Sequence, residues 1–346
     1  MKLQLLYRVM GCVTMCGSFA IAQTTSTAPT TQPSPATQAA TTTRVAVPHF
    51  TPAQLKLPGK KGICYSMPLN DHPARSAEEN AALRKENVRR MTDLQVSWSY
   101  TWGMPLVEEQ PSEVEFMPMV FGKGLKGPDA VQKLTAELAT RVAPHIASGR
   151  VVRLLGPNEP DREKHGDLTP EQTIAIWPAM EALGVPLCSP SPANTEGVGK
   201  VGANWMPEFM AEVDRRGLRV DYIGTHAYAS PNPEALKKRL RRIYEKYGKR
   251  PLLITEFGVT DWSTLDGVSK NRYTQAQVLA YMKDVLPWME RQDWIAGYAW
   301  FPFKVESPHG ASSALFDADG KLNALGRFYR SVTPSNPDGD QTIQPD

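Results

Sequence analysis

The chain has 346 residues, 41% hydrophobic and 22% charged, too apolar to be disordered throughout and long enough for one large core or two ordinary ones. Its formal charge of +3 is too small to make nucleic acid or an anionic membrane the main partner, and four cysteines in so long a chain argue against a disulfide scaffold. Proline is the outlier, at 30 residues, about 9% against a usual ~5%.

Residues 1–22 open with Lys2 and Arg8, run through an apolar stretch from Val9 to Ala22 and end in Ala20-Ile21-Ala22. This pattern predicts a secretory signal peptide, and therefore an extracellular, periplasmic or cell-surface protein. The stretch is shorter than the ~20 residues of a membrane-spanning helix, so no span is expected in the mature chain. Neither Cys12 nor Cys16 follows the Leu-small-small triplet of a lipoprotein signal. Cleavage would remove Lys2 and Arg8 from the 39 basic residues and none of the 36 acidic ones, leaving an essentially neutral protein. Residues 23–58 are rich in Thr, Pro, Ser, Gln and Ala with no apolar periodicity before Val45, which predicts a disordered linker. The tail 334–346, PSNPDGDQTIQPD, has a similar composition and the same expectation.

Between these ends, residues 59–333 alternate short β-rich runs with amphipathic helical runs. The β-rich runs are 61–66, 96–102, 114–121, 151–156, 185–190, 220–228, 251–257 and 294–301. Several are nearly continuous in apolar residues, as strands covered on both faces are. Ser76-Ala77-Glu78-Glu79 and Thr169-Pro170-Glu171-Gln172 are capping boxes that open helices. Val278, Tyr281, Met282, Val285, Leu286 and Met289 repeat at the spacing of a core-packed helix. A last helix is expected over about 322–332, after an Asp319-Gly320 turn that could close a small hairpin. The link between the second and third runs is too short and irregular for a helix. Eight such units over about 275 residues fit a single-domain α/β fold, the (β/α)8 TIM barrel of ~250 residues; a doubly wound open sheet is the alternative. In a barrel the first and fifth strands are opposite one another, so Cys64 and Cys188 are expected as free, buried thiols.

In such a barrel the informative positions are the C-terminal strand ends. Glu159 follows the fourth run in GPNEPD, and Glu256 closes the seventh. Across the barrel mouth both can address one sugar-sized site, as glycoside hydrolysis requires of an acid and a nucleophile. At about 5 Å separation the charge of one raises the pKa of the other, so a protonated acid is expected near neutral pH. The residue-level alternatives are a helix-capping acid for Glu159 and a strand-end ion pair for Glu256.

GPNEPD (156–161) and ITEFG (254–258) resemble the acid/base and nucleophile motifs of the large retaining glycoside hydrolase clan built on this barrel. KKGICYS, SYTWG, VEFMPMVFG, VDYIGTHAY, YEKYGKRPLLITEFG and YAWF, in that order, resemble glycoside hydrolase family 128, whose members are β-1,3-glucanases. The resemblance covers roughly residues 60–330. It implies Glu159 as acid/base, Glu256 as nucleophile, Asn158 as a partner of the sugar 2-hydroxyl, Trp300 as a stacking floor, and His226 and Tyr228 as polar contacts. It also implies a β-glucan polysaccharide or oligosaccharide as substrate, with no cofactor and no metal. The chain departs from the family pattern at Pro157, where an aromatic residue is usual, at Thr101 for Asn, at Phe121 for Trp and at Ala227 for Trp. Two of the changes remove aromatic platforms, which bears on the subsites more than on the chemistry.

Other readings stay open beside these. His226 is a substrate contact or a satisfied buried histidine, and Trp98, Tyr100, Trp102 and Trp300 are each core or sugar platform. GKGLKG (122–127) matches G-x-G-x-x-G, but Pro128 follows the third glycine and the next strand-end acid lies too far on for a dinucleotide fold; a loop at the barrel mouth is expected. The basic run from Glu234 to Arg250, with Leu236, Leu240, Ile243 and Tyr247 as its apolar stripe, reads as the solvated face of a helix. The histidines lack zinc spacing, no G-x-S-x-G elbow occurs, and Asp317-Ala318-Asp319-Gly320 lacks the rest of a calcium loop. A monomer is expected. A carbohydrate-binding wall protein on the same barrel is the second functional reading.

Overall fold

Each of the eight β-rich runs contains a strand: β1 (Lys61–Cys64), β2 (Trp98–Tyr100), β3 (Glu115–Phe116), β4 (Leu154–Leu155), β5 (Leu187–Cys188), β6 (Ile223–Ala229), β7 (Leu252–Val259) and β8 (Ile295–Trp300). The helices are α1 (Pro52–Leu55), α2 (Ala77–Leu94), α3 (Ala130–Arg141), α4 (Ala143–Ala147), α5 (Pro170–Glu181), α6 (Trp205–Arg216), α7 (Pro233–Lys246), α8 (Gln275–Glu290) and α9 (Ala324–Ser331). The computed structural model describes residues 49–72 and 74–346; the expected signal peptide and the linker up to residue 48 lie outside the described residues. The described residues fall in one compact unit, and no helix among them is long and apolar enough to cross a membrane.

All strand pairs are parallel. Six strands run in the order β3-β2-β1-β8-β7-β6, and β4 pairs with β5. The bridges Met119↔Leu155 and Cys188↔Tyr222 join these two ladders in the cyclic order of a (β/α)8 barrel. The ladder thins here because the third to fifth runs carry Pro118, Pro157, Pro186 and Pro190, which have no N–H to give. Their carbonyls still serve: Leu155 N donates to Pro118 O at 2.9 Å and Leu154 N to Pro186 O at 3.0 Å.

Side-chain alternation sorts the core into two layers. Inside the barrel Cys64, Trp98, Tyr100, Met119, Leu155, Cys188, Tyr222 and Ala299 pack together, with Trp102, Phe121 and Phe301 at the edge of the cluster. Cys64 and Cys188 are free and buried, as expected. Between strands and helices lies the larger core, which takes the α8 stripe from Val278 to Met289 and the α7 stripe Leu236, Leu240 and Ile243. Both capping boxes form, at Ser76 and Thr169. Asp319-Gly320 turns the chain so that Phe316 bridges Leu322 in antiparallel fashion, with Gly320 at φ 74°. The two lysines that open β1 cap helix C-termini, where the dipole favours cations: Lys60 Nζ donates to Met289 O and Glu290 O of α8, and Lys61 Nζ to Tyr329 O and Arg330 O of α9.

Two boundaries need correction. The folded part begins before residue 59, because Leu57 is buried, Tyr222 Oη donates to Leu55 O, and Arg153 Nη2 donates to Lys56 O. The tail 334–346 is ordered against the barrel rather than free: Lys283 Nζ donates to Gln341 O and Ile343 O, Arg327 pairs with Asp346, and Ile343 packs on the core. Lysine and arginine side chains distant in sequence fix that segment, so its own composition gave no sign of it.

Candidate active site

The chain leaving β4 turns sharply at Asn158-Glu159-Pro160. Glu159 adopts φ 38°, in the left-handed region that costs a non-glycine residue energy and clusters at functional sites. Its backbone is tied down on both sides, Glu159 N donating to Ser191 O at 3.0 Å and its carbonyl accepting from Arg162 N at 3.0 Å. The returning loop passes so close at Gly166 that a Cβ there would sit 2.5 Å from Asn158 O. On β6 a bulge between Thr225 and His226 places His226 opposite Glu256 of β7, and bulges re-aim side chains in this way.

These turns bring the acids together. Oxygens of Glu159 and Glu256 and a ring nitrogen of His226 all lie within 4.8 Å of one another. His226 Nδ1 is 3.0 Å from Glu159 Oε1 and 3.5 Å from Glu256 Oε2. His165 Nδ1 approaches Glu159 Oε2 at 3.3 Å. Three donors orient Glu256: Trp102 Nε1 at 2.8 Å and Tyr100 Oη at 3.1 Å to Oε1, and Tyr228 Oη at 2.5 Å to Oε2. Burial and the Glu256 charge push the Tyr228 phenol well above its ordinary range, which keeps it a donor. Trp102, like Glu159, has positive φ, at 52°.

The direction of the Glu159 shift is opposite to the expectation. Burial pushes the Glu159 carboxyl up, but the hydrogen bond and charge of His226, with His165 and Arg162, outweigh it and hold the group below the usual carboxylate range. Burial pushes the His226 imidazole down, and the charges of Glu256 and Glu159 overcome this and raise it above its ordinary value. His226 therefore competes with Glu159 for the proton expected on the acid. The same three groups form the one set among the described residues close enough to ligate a metal ion, but an imidazole drawn toward its protonated form is a poor ligand.

The pair stands in a cavity of about 900 Å³ lined by Asn158, Glu159, His226, Tyr228, Glu256, Trp102 and Phe121, in the range of ligand sites. Asn158 Oδ1 and His226 Nε2 are buried without a hydrogen-bond partner, so each has capacity left for a hydroxyl. Two expected contacts are corrected. Trp300 is wholly buried and does not line the cavity; its indole N–H donates to Ser313 O at 2.8 Å and its ring packs on Phe257. The alternation along β8 turns Trp300 to the helices, while the following Phe301 lines the cavity with Phe303. Tyr100 is likewise buried, reaching the site only through its bond to Glu256. Lining residues absent from the sequence-based set include His165, Trp262, Arg239 and His309. His165 had a signal, as did Arg162 and Lys164, in standing within six residues of Glu159 in the same loop. GKGLKG forms a turn and loop before α3, and much of the basic run on α7 is paired: Lys237 with Asp284 and Glu234, Arg242 with Glu196, Arg250 with Asp214.

No curated protein matches the chain. Among solved structures its fold is similar to a subgroup I endo-β-1,3-glucanase of glycoside hydrolase family 128 from Amycolatopsis mediterranei in complex with laminaritriose, at 23% identity and TM-score 0.57 over 78% of this chain and 98% of that one. A subgroup II endo-β-1,3-glucanase of the same family from Sorangium cellulosum matches at 25% identity and TM-score 0.56, over 79% and 98% of the two chains. A subgroup VII oligosaccharide-binding protein from Trichoderma gamsii matches at 17% identity and TM-score 0.57, over 80% and 94%. The glycosyl hydrolase catalytic core model matches residues 77–329, and the chain belongs to that family.

Proposed function

We propose that the protein is an exported endo-β-1,3-glucanase that cleaves by double displacement with retention. The observation that carries the reading is the approach of the Glu159 and Glu256 carboxyl oxygens to within 4.8 Å, with His226 between them, close to the ~5–5.5 Å of retaining enzymes and short of the ~6.5 Å at which inverting ones begin. The similar folds of endo-β-1,3-glucanases support the substrate class, and the residue 1–22 pattern supports export.

In this mechanism Glu256 Oε2 or Oε1 attacks the anomeric carbon as its bond to the leaving oxygen breaks, and Glu159 delivers a proton to that oxygen. Glu159 takes this proton from His226 Nδ1 along the 3.0 Å contact. Once Glu256 is esterified its charge is gone, and Glu159 accepts a proton from the water that releases the second sugar. Asn158 Oδ1 is available to the sugar 2-hydroxyl, and Phe301, Phe303 and Trp102 offer flat faces to the ring. Reducing-sugar release from laminarin tests the reading. Release that disappears in Glu256→Gln supports it, whereas binding of laminari-oligosaccharides without release by the parent protein moves the chain to the oligosaccharide-binding reading.

A further inference from the structure

The cavity lining has two unlike parts. Trp102, Tyr228, Trp262, Phe301 and Phe303 form an aromatic one, as suits a neutral sugar face. The same lining holds Arg162 and Lys164 of the loop after β4 and Arg239 of α7. Outside the catalytic pair, Glu163 is the one acidic residue in the lining. Neutral glucose units give such a cationic set nothing to neutralise.

Arg239 is the telling member. Unlike the paired basic residues around it on α7, it turns inward, its Nη2 donating to His226 O at 2.8 Å. Its nearest carboxylate is Glu196, whose Oε2 lies 3.8 Å from Arg239 Nε while Oε1 takes Arg242. Its Nε is buried without a hydrogen-bond partner. The Glu196 pair is a long one and Arg239 is half-buried in the cavity lining, so the guanidinium keeps capacity for a second anion on the cavity side. Arg162 and Lys164 are exposed and form no ion pair among the described residues. The cationic line continues beyond Phe121, which also lines an adjoining cavity of about 190 Å³ containing Lys123, Lys133 and Arg141 against Glu137.

We propose that the site takes a carboxylate-bearing β-glucan, its acid group held by Arg239, Arg162 and Lys164 while the sugar ring lies on the aromatic wall. This rests on the glycoside hydrolase reading of the same cavity. The carboxylate has two chemical sources, a uronate ring or an acid ester on a neutral glucose.

The test compares laminarin, laminarin oxidised at C6 to glucuronate, and succinylated laminarin. The expected result is a kcat/KM about tenfold higher on at least one acidic glycan at low ionic strength, the size of effect charge-assisted hydrogen bonds give. The excess shrinks toward 1 at about 0.5 M salt, where screening acts within ~4 Å. Preference for the oxidised glycan assigns the uronate, and preference for the succinylated one assigns the ester. The double variant Arg162→Gln/Lys164→Gln lowers the acidic-to-neutral ratio at least about threefold, whereas Lys238→Gln on the exposed face of α7 leaves it. Laminarin cleaved as well as or better than both acidic glycans overturns the inference while leaving the hydrolase reading intact. Should none be cleaved, the hydrolase reading fails, and calorimetric affinities for the same three glycans decide the inference by the same ratio.

Discussion

The two mouths of the barrel are built on opposite terms. At the N-terminal mouth Arg153 is bonded through all three of its nitrogens: Nη1 donates to both Glu115 oxygens at 2.6 Å, Nε to Tyr222 Oη at 2.9 Å and Nη2 to Lys56 O at 2.7 Å. The chain from α1 to Leu57 closes over this network. At the C-terminal mouth Asn158 Oδ1 and His226 Nε2 lack partners, Glu159 and Trp102 are held at positive φ, and two acids share one histidine. The first arrangement stabilises the fold; the second leaves polar capacity and strain where a substrate can use them.

This contrast makes substitutions separable, and the largest effects belong to the open mouth. Glu256→Gln should lower kcat on laminarin roughly 10⁴-fold and Glu159→Gln roughly 10³-fold, with melting temperature and oligosaccharide affinity little changed. At the closed mouth Arg153→Met should cost about 3–5 kcal/mol of unfolding free energy, because Glu115 stays buried without its partner, while turnover per folded molecule is retained. A loss of turnover there, or a large fall in stability from either glutamate, would erase the distinction between the two ends.

Smaller effects sharpen it. Trp102→Phe removes one donor to Glu256 and should lower kcat roughly tenfold at nearly constant KM. His226 links the site to pH. Its raised pKa makes a contribution to stability that is full below the unfolded value near 6.5 and lost as pH rises through the folded value. The lowered pKa of Glu159 makes one that is present above about 4.5 and lost as pH falls through its folded value. The stability difference between parent and His226→Gln should therefore peak between these limits, and the alkaline limb of kcat should move to lower pH in the variant, since the proton then rests on Glu159 alone. Thermal unfolding and initial rates across pH measure both. Smallest at the site, Trp300→Phe should leave laminari-oligosaccharide affinity unchanged while costing about 1–2 kcal/mol of stability through its lost bond and volume.

Much of the architecture was legible because it is local. Capping boxes, apolar stripes and strand runs act through neighbouring residues, and Glu159 and Glu256 follow from strand ends. What escaped is set at long range or by parity. Trp300 and Phe301 differ by one step along β8, and a single step exchanges barrel interior for helix layer. The docking of the tail depends in part on Lys283, about 60 residues away from its partners. The downward shift of Glu159 was not legible because it comes from His226, whose place between the carboxylates depends on a bulge. The prolines also divide differently than composition alone suggested, since those at 118, 157, 186 and 190 thin the ladder on the side that carries Glu159.

The most direct test of the central claim is the anomeric configuration of the first product, followed by proton NMR as a laminari-oligosaccharide is cleaved. With carboxyl oxygens within 4.8 Å of each other, the proposed retaining mechanism predicts that the β-anomer appears first and mutarotates afterwards. Initial release of the α-anomer would contradict nucleophilic attack by Glu256 and the assignment of both acids.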